Sequence, residues 1–350
     1  MKLVFSKSEL SKAVGIVMKA VPTRTTMNIL ECILIDATTN VIKFTSNDME
    51  LGIETIVEGE IIEKGKVAIE AKLFSEIVRR SPDNEVTIST DANYTSLITC
   101  EKSKINIAGK SGEDFSFLPI IDKDKMITIS QFNLKEIINQ TIFSTAPNDN
   151  NKMMTGELFE VSDNTLKVVG LDGHRIAIRS IQLEGRADDV KAVVPGKTLQ
   201  EISKLMSTDA ENMVNIYFTN NHILFEFDNT IVVSRLIEGE YFKINQMLSS
   251  DYETKVVINK KEFIGSIDRA NLLITESEKK PIIINITDGS LEVTVNSSKG
   301  KFNEDINIKK EGKDLMIGFN PKFLMDALRV IDDENVDIYL VNPKAPCFIR

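Results

Sequence analysis

The segment KVAIEAKLFSEIVRR (residues 66–80) decides the fold of this chain, because the same phrase returns twice. It recurs as KAVVPGKTLQEISKLM at residues 191–206 and as LMIGFNPKFLMDALRVI at residues 315–331. In each copy a short apolar strand runs directly into an amphipathic helix; in the first, Leu73 and Ile77 are predicted to face a sheet. The copies lie about 125 residues apart, which is a domain length and far longer than a solenoid repeat. The sequence therefore predicts one domain repeated three times.

Each predicted domain carries the same further elements around this phrase. A first helix is predicted near residues 8–21, 134–143 and 261–273, and Ser8 is the predicted N-cap of the first one. A β-hairpin follows each first helix, and the third turns at Asp288–Gly289, a dipeptide typical of tight hairpins. With more strands after each second helix, the pattern predicts an α+β fold whose domains each pack two helices on antiparallel sheets. The predicted domains span residues 1–119, 124–247 and 252–350.

The third predicted domain has one strand fewer than the other two. Three strands are predicted after the second helix in the first and second domains. Only VDIYLV (residues 336–341) and CFIR (residues 347–350) follow it in the third. We therefore expect that the sequence stops before the C-terminal strand of this domain.

The composition indicates a folded, soluble chain. Of 350 residues, 42% are apolar and 27% are charged, and the net charge is −10. Such a balance favours solubility and by itself argues against a nucleic-acid partner. No apolar stretch reaches the length of a membrane span, and the first residues lack the apolar run of a signal peptide. We therefore expect a cytoplasmic protein that has no membrane partner.

Cysteine and histidine are too scattered to predict a metal site. The three cysteines form no CxxC pair, a usage that fits a reducing compartment. The two histidines, His174 and His222, do not cluster with them in the sequence. Neither a metal nor a cofactor is predicted.

Two cations stand seven residues apart on every predicted second helix, so both project from the same side. Glu76, Glu201 and Asp326 lie between the cations and permit a plainer interpretation, a solvated face held by intrahelical ion pairs. Those pairs would place the cation before the acid, the weaker order, and contribute about 0.2–0.5 kcal/mol each. Recurrence on an acidic chain favours a basic surface for nucleic acid, although the spacing alone leaves both interpretations open. The cation pairs are Lys72 and Arg79, Lys197 and Lys204, and Lys322 and Arg329.

No catalytic constellation is visible in the sequence. The segment GEIIEKGKV (residues 59–67) lacks the spacing of a phosphate-binding loop. A hydrolase or transferase would have only His174 to offer, in the tetrapeptide Asp-Gly-His-Arg. A hairpin turn with its flanking residues explains that tetrapeptide more simply, because no partner nucleophile or second carboxylate accompanies it.

Several motifs in order give the chain a family resemblance. They are Pro22-Thr23-Arg24, LDGHRIAIRS (171–180), RLIEGEYF (235–242), RANLLITE (269–276) and IGFNPKFLMDAL (317–328). On these motifs the chain resembles the bacterial DNA polymerase III beta subunits, the sliding clamps. The resemblance implies a DNA clamp fold, a ring-forming homodimer around duplex DNA and a processivity factor that is not an enzyme. A ring holds DNA by topology, so weak and sequence-independent contacts suffice on an acidic protein.

The resemblance also implies which residues meet DNA and which meet partner proteins. The residues implied to face DNA are Arg24, Lys72, Arg79, Arg80, Lys197, Lys204, Lys322 and Arg329. A groove between the second and third domains is implied to bind short linear peptides of the DNA polymerase III alpha subunit, the clamp loader and repair or translesion polymerases. Its residues would be Met154, Leu171, Gly173, His174, Arg175, Ile176, Phe242, Gln246, Met247, Asn320, Phe323, Lys344 and Pro346.

This groove departs from the common family pattern at three positions. Phe242 replaces a proline, Gln246 an arginine and Met247 a valine, so the preferred peptide is expected to differ. For Met154, Leu171 and Met247, packing in the core is the plainer interpretation.

The ring implied by the resemblance closes between the last strand of domain one and domain three of the other subunit. Apolar contact and strand pairing should dominate this closure, because exposed ion pairs contribute less than about 1 kcal/mol each. The implied interface residues are Lys102, Lys104, Ile105, Ile107, Leu272, Leu273, Glu304 and Asp305. The alternative function is a multidomain scaffold that binds peptides and never encircles DNA.

Overall fold

The computed structural model describes residues 1–248, 251–275 and 280–350. The last residue of the RANLLITE motif, Glu276, therefore lies outside the described residues. The chain forms two compact units. The first comprises Met1–Asp172 and Ile178–Gly239, and the second comprises Gly173–Ala177 and Glu240–Arg350.

The first repeat begins with a strand that runs straight into a helix. The side chain of Ser6 accepts a hydrogen bond from the Glu9 amide (3.2 Å) and caps this helix. The prediction of Ser8 as the cap is therefore wrong, because the helix begins earlier. The elements of the repeat are β1 (Lys2–Ser6), α1 (Lys7–Val17), β2 (Cys32–Asp36), β3 (Ile42–Asn47), β4 (Leu51–Val57), β5 (Glu60–Glu63), β6 (Lys66–Glu70), α2 (Ala71–Arg80), β7 (Glu85–Thr90), β8 (Thr95–Cys100) and β9 (Ser103–Ser111).

The second repeat follows the same order. Its first hairpin turns at Asp163 and Asn164, which both have positive φ, as a tight hairpin turn requires. Its elements are β10 (Met126–Ser130), α3 (Gln131–Asn139), β11 (Gly156–Ser162), β12 (Thr165–Leu171), β13 (Ile176–Gln182), β14 (Val190–Pro195), α4 (Gly196–Leu205), β15 (Met213–Phe218), β16 (His222–Phe227) and β17 (Thr230–Arg235).

One sheet joins the first and second repeats. Its thirteen strands run β10-β15-β16-β17-β4-β3-β2-β6-β9-β8-β7-β1-β5. The joint is the antiparallel pair β17–β4, in which Thr230 lies opposite Thr55 and Val232 opposite Ile53. The hydroxyls of the two threonines are 2.9 Å apart in the buried part of this joint. Backbone pairing therefore fixes the two repeats to each other.

The third repeat has its own seven-stranded sheet and its own apolar core. Asn320 caps its second helix by accepting a hydrogen bond from the Lys322 amide (3.0 Å), and Pro321 is the first helical residue. The elements are β18 (Thr254–Asn259), α5 (Lys260–Asn271), β19 (Ile282–Thr287), β20 (Ser290–Ser297), β21 (Gly300–Gly312), β22 (Leu315–Phe319), α6 (Pro321–Arg329), β23 (Asn335–Leu340) and β24 (Phe348–Ile349).

These elements confirm the predicted fold class, since each repeat packs two helices on antiparallel strands. One detail of the packing was predicted wrongly. Leu73 is 48% exposed, whereas Phe74 is fully buried beside Ile77 and Val78. Phe74 buries the larger apolar side chain against the core, and Leu73 is left on the surface.

The core of the second repeat contains an isolated acid. Glu157, at the start of β11, is 0% exposed, and neither carboxylate oxygen has a hydrogen-bond partner among the described residues. The nearby hydroxyl of Thr141 donates to the carbonyl of Ile137 (2.6 Å) instead. Burial raises the pKa of Glu157 to about 8, because the ionised form loses its hydration. Space for the side chain exists because residue 170 is glycine: a Cβ there would lie 3.3 Å from Glu157 Oε1.

Candidate functional site

All eight cations that are predicted to face DNA have exposed side chains. Seven lie on second helices of the repeats: Lys72, Arg79 and Arg80 on α2, Lys197 and Lys204 on α4, and Lys322 and Arg329 on α6. Arg329 ends α6, and Arg24 follows the short 3-10 turn Met18–Ala20 after α1. All eight side chains are therefore in contact with solvent.

The intrahelical ion pairs considered as the plainer interpretation are present. Glu76 accepts from Arg79 (2.6 Å) and lies 2.9 Å from Arg80, and the hydrogen bond from Arg79 lowers the pKa of Glu76. On α4, Glu201 accepts from Lys204 (2.7 Å). In both helices the acid precedes the cation, so the expected weaker order was wrong for them. Because α2 holds three cations against one paired acid, its exposed face remains basic.

Two further ion pairs tie α4 to the first repeat. Lys197 Nζ lies 2.7 Å from the largely buried carboxylate of Asp48, and Lys19 Nζ lies 3.7 Å from Glu201. Lys19 follows α1 in the first repeat, so cations of neighbouring repeats share one acid. Lys197 is therefore exposed to solvent and also contacts the first repeat. Helical spacing in the sequence does not predict this contact.

The Asp-Gly-His-Arg tetrapeptide forms the turn of the β12–β13 hairpin, as the structural interpretation predicts. Gly173 has a φ of +83°, a conformation that glycine adopts without strain. Within the second unit the turn brings two side chains onto Phe323 of α6. The His174 ring stacks on the phenyl ring at 5.5 Å, and the Arg175 guanidinium carbon lies 4.6 Å from its centroid.

Asp326 completes this cluster and is absent from the predicted site residues. Its Oδ2 accepts hydrogen bonds from Arg175 Nη1 (2.8 Å) and from Lys322 Nζ (2.6 Å). Partial burial disfavours the ionised form, but the hydrogen bonds from both cations outweigh it and hold the pKa of Asp326 below its ordinary value. In the sequence, Asp326 is marked only by its position in the repeat, which matches the positions of Glu76 and Glu201.

The remaining residues of the predicted groove differ in how much surface they present. Leu171 is buried and Met154 is half-buried, both in the first unit, where core packing accounts for Leu171. In the second unit Met247 is 48% exposed, so the core-packing interpretation is wrong for this residue. Phe242 is half-buried with its ring edge-on to Tyr241 at 5.5 Å. Asn320 is occupied as the cap of α6; Ile176 is half-buried, and Gln246, Lys344 and Pro346 are exposed.

The predicted interface strand of the first repeat has an open edge. On one side Ser103–Ala108 of β9 pair with β8, whereas β6 reaches only residues 109–111. The Gly109 amide donates to the Tyr94 carbonyl (2.9 Å), so odd-numbered amides of β9 face β8 and even-numbered amides face the open edge. Lys102 and Lys104 are exposed, Ile105 is half-buried, and Ile107 is 6% exposed within its own domain.

The third repeat has a matching open edge on β21. Among the described residues, 300–307 pair with β20 and with no other strand, and β18 pairs with β21 from residue 308. Glu304 is bound by Arg269 (2.6 Å to Nη2), which lowers the pKa of that carboxyl, while Asp305 accepts from the Ser290 hydroxyl (3.0 Å). After α5, Leu272 is 73% exposed and Leu273 is half-buried.

Within the described ranges, no group of three or more His, Cys, Asp or Glu is placed to hold a metal ion. Likewise, no helix in that part of the chain is long and apolar enough to cross a membrane.

Comparison with known proteins assigns the family. Models of the DNA polymerase III beta subunit match at residues 1–119 for the N-terminal domain, 128–243 for the central domain and 245–350 for the C-terminal domain. The beta sliding clamp of Staphylococcus epidermidis is 35% identical over 343 residues, which are 95% of this chain and 91% of that protein.

Solved structures show the same relationship. One from Eubacterium rectale, assigned to the DNA polymerase III beta subunit, has 65% sequence identity and a TM-score of 0.97. The DNA polymerase sliding clamp of Bacillus subtilis has 31% identity and a TM-score of 0.96. Each comparison covers 100% of this chain and 95% of the other. The chain therefore belongs to the DNA polymerase III beta subunit family, the non-catalytic beta sliding clamps.

Proposed function

We propose that two copies of this chain close head to tail around duplex DNA and tether the DNA polymerase III alpha subunit, the clamp loader and repair or translesion polymerases. The observation that carries the proposal is the β17–β4 joint inside the chain. The open edges of β9 and β21 occupy the places of β17 and β4 in their own repeats. A second chain can therefore continue the pairing that the first chain uses within itself.

The internal joint also supports a register for the proposed interface. Ser103 and Thr230 are each the first residue of the last strand of a repeat, after a two-residue turn. Thr55 lies opposite Phe44 on the neighbouring strand of the first repeat. Glu304 lies opposite Val293 at the equivalent position of the third repeat, so Thr55 and Glu304 correspond to each other. Because Thr230 lies opposite Thr55, the same joint between chains would set Ser103 opposite Glu304 of the other copy.

Two residues further along this register, apolar side chains of the two copies face each other. Ile105 would then lie opposite Phe302, which is not among the predicted interface residues. At the other end, the carbonyl of Asn229 accepts from the Ile56 amide (2.9 Å), so the equivalent Lys102 would lie beside Asp305. Glu304 keeps its partner Arg269, so Asp305 is the carboxylate that is better placed for a lysine across the interface.

The proposed contact with DNA is weak and independent of sequence. Its support is the set of exposed cations on α2, α4 and α6. A topological link predicts that the loaded protein stays on closed circular DNA and slides off the same DNA once it is made linear. Equal loss from both forms would contradict encirclement.

Replacing Lys72, Arg79, Lys197 and Lys204 with glutamine should lower the amount of protein that is loaded onto circular DNA at least about tenfold, since each lost phosphate contact weakens binding and lowers its salt dependence. The measurement is the amount retained after gel filtration at increasing salt. A control with the same change of charge replaces Lys43, Lys64, Lys123 and Lys191, which lie on or beside strands. A peptide-binding scaffold that never encircles DNA would behave alike in both variants.

The proposed peptide groove combines residues of the second and third predicted domains. Replacing His174 with alanine should weaken binding of a labelled alpha-subunit peptide about three- to tenfold, because the ring stacked on Phe323 is lost. Fluorescence anisotropy measures this, and His222→Ala, in β16, is the control. Loss of a chemical turnover in the His174 variant would instead favour an enzyme.

Two further assignments complete the proposal. We infer a cytoplasmic location, supported by the family assignment and by the sequence features described above. The domain limits 1–119, 124–247 and 252–350 remain predictions, which limited proteolysis followed by mass determination can test.

A further inference from the structure

One oxygen atom in the third repeat connects a groove residue with a residue predicted to face DNA. Asp326 Oδ2 accepts from Arg175 Nη1 at 2.8 Å and from Lys322 Nζ at 2.6 Å. Arg175 belongs to the β12–β13 turn of the proposed peptide groove. Lys322 belongs to the exposed basic face of α6. Two cations of different predicted roles therefore share a single acceptor.

Helix geometry explains why Asp326 can reach both partners. Lys322 and Asp326 are four residues apart, and Phe323 and Asp326 are three apart, so the three side chains neighbour one another on α6. The guanidinium carbon of Arg175 lies over the Phe323 ring, 4.6 Å from its centroid, while Asp326 accepts a hydrogen bond from Nη1. A guanidinium that contacts an aromatic ring and also donates a hydrogen bond has few alternative orientations. Only 15% of the Arg175 side chain remains exposed.

The equivalent acids of the other repeats lack this link. Glu76 binds Arg79 and Arg80 of its own helix, and Glu201 binds Lys204 and Lys19. None of those four cations belongs to the proposed groove. The threefold repeat thus supplies two natural comparisons, in which an acid neutralises a basic helix without holding a groove residue.

We propose that Asp326 is a positioning residue that orients Arg175 for the incoming peptide and at the same time restrains Lys322 from DNA. The inference rests on the proposed function, because it gives Asp326 an effect on both ligands of that function, the peptide and DNA. When a peptide holds Arg175 against Asp326, the shared oxygen is less available to Lys322, which is freed for phosphate. When phosphate engages Lys322, the oxygen is released to Arg175, which orders the groove.

The test combines peptide binding with DNA binding in the intact homodimer. Asp326→Asn keeps the size of the side chain but removes its charge, so Arg175 loses a charge-assisted hydrogen bond. We expect the Kd of a fluorescein-labelled alpha-subunit peptide to rise about tenfold. The same variant should bind a short labelled duplex about two- to threefold more tightly at low salt, because Lys322 is freed.

Three control variants isolate this role. Glu76→Gln makes the same change of charge on α2, so it should tighten DNA binding and leave the peptide Kd unchanged. Asp326→Glu should restore most of the peptide affinity, because the carboxylate is retained. Lys322→Gln should leave peptide affinity equal or higher, since Arg175 then has the oxygen to itself.

The outcomes separate the inference from the function on which it rests. If the unaltered protein binds neither peptide nor duplex, the proposed function fails. If it binds both and Asp326→Asn changes neither Kd, the inference alone is overturned. A loss of both affinities in Asp326→Asn would also overturn it, because a damaged fold weakens both ligands, whereas the proposed link moves them in opposite directions.

Discussion

Replacing Asn106 with proline should convert the homodimer into monomers. Asn106 lies in the middle of β9, and its even-numbered position turns its amide toward the open edge. Proline removes that N–H donor and places ring atoms where the other strand must approach, yet it spares the hydrogen bonds to β8. An unsatisfied carbonyl at the interface costs about 1–3 kcal/mol, so the dimer should weaken on the order of a hundredfold. Sedimentation at several concentrations measures the dissociation constant.

The same position offers a control that tests the hydrogen-bonding edge alone. Asn106→Thr keeps the amide, so this variant should remain dimeric. At a dilution where both proteins are monomeric, the proline variant and the unaltered protein should have the same Tm, because β9 keeps its partner β8. If the proline variant sediments as a dimer with unchanged affinity, the proposed pairing of β9 with β21 is incorrect.

Replacing Glu157 with methionine should stabilise the protein strongly at neutral pH. In the unfolded chain this carboxyl ionises near its ordinary pKa of 4.5, whereas the folded protein keeps it protonated up to about 8. Between those pH values the unfolded state binds fewer protons, so the free energy of unfolding falls as the pH rises. The cost reaches about 3 kcal/mol at pH 7, and methionine removes it.

The pH dependence distinguishes this effect from ordinary repacking. The difference in Tm between Glu157→Met and the unaltered protein should grow from pH 5 to pH 8. Glu160→Gln, on the same strand, should show no such growth from pH 5 to pH 8: the hydrogen bond from Lys191 lowers the pKa of Glu160, so this acid stabilises the protein fully above its ordinary pKa of 4.5 and the benefit disappears only as the pH falls below that value. A methionine variant whose advantage stays constant with pH would show that Glu157 is not protonated in the folded state.

Local sequence patterns predicted the elements of the fold but did not predict the partners of every strand. The cap and first residue of α6 follow from Asn320-Pro321, since both preferences act within one helical turn. The β17–β4 joint links Thr230 to Thr55, which are 175 residues apart. Alternation along a strand indicates which face is buried, but it does not identify the strand across the ladder.

The site was predictable to a similar extent. Exposure of the cations on the second helices follows from helical spacing, because it concerns a single element. The contact of Arg175 with the Phe323 ring requires a hairpin turn and a helix that lie far apart in sequence, and only the folded second unit brings them together. The shared bond to Asp326 was missed for the same reason. Leu73 and Phe74 show what a local pattern does not determine. These adjacent apolar residues could each fill one buried position on the helix, and the sequence does not indicate which of them is buried.

The distance in sequence between β4 and β17 has a consequence for the newly made chain. At about 5–20 residues per second, a ribosome needs roughly 10–35 seconds to add the 175 residues between Thr55 and Thr230. During that interval one edge of β4 has no partner from its own polypeptide, although the rest of its hairpin can already form. Glu54 lies in the middle of this strand and pairs with Lys43 (2.8 Å). It places a charge at the unpaired edge, and charges at sheet edges discourage association with other chains.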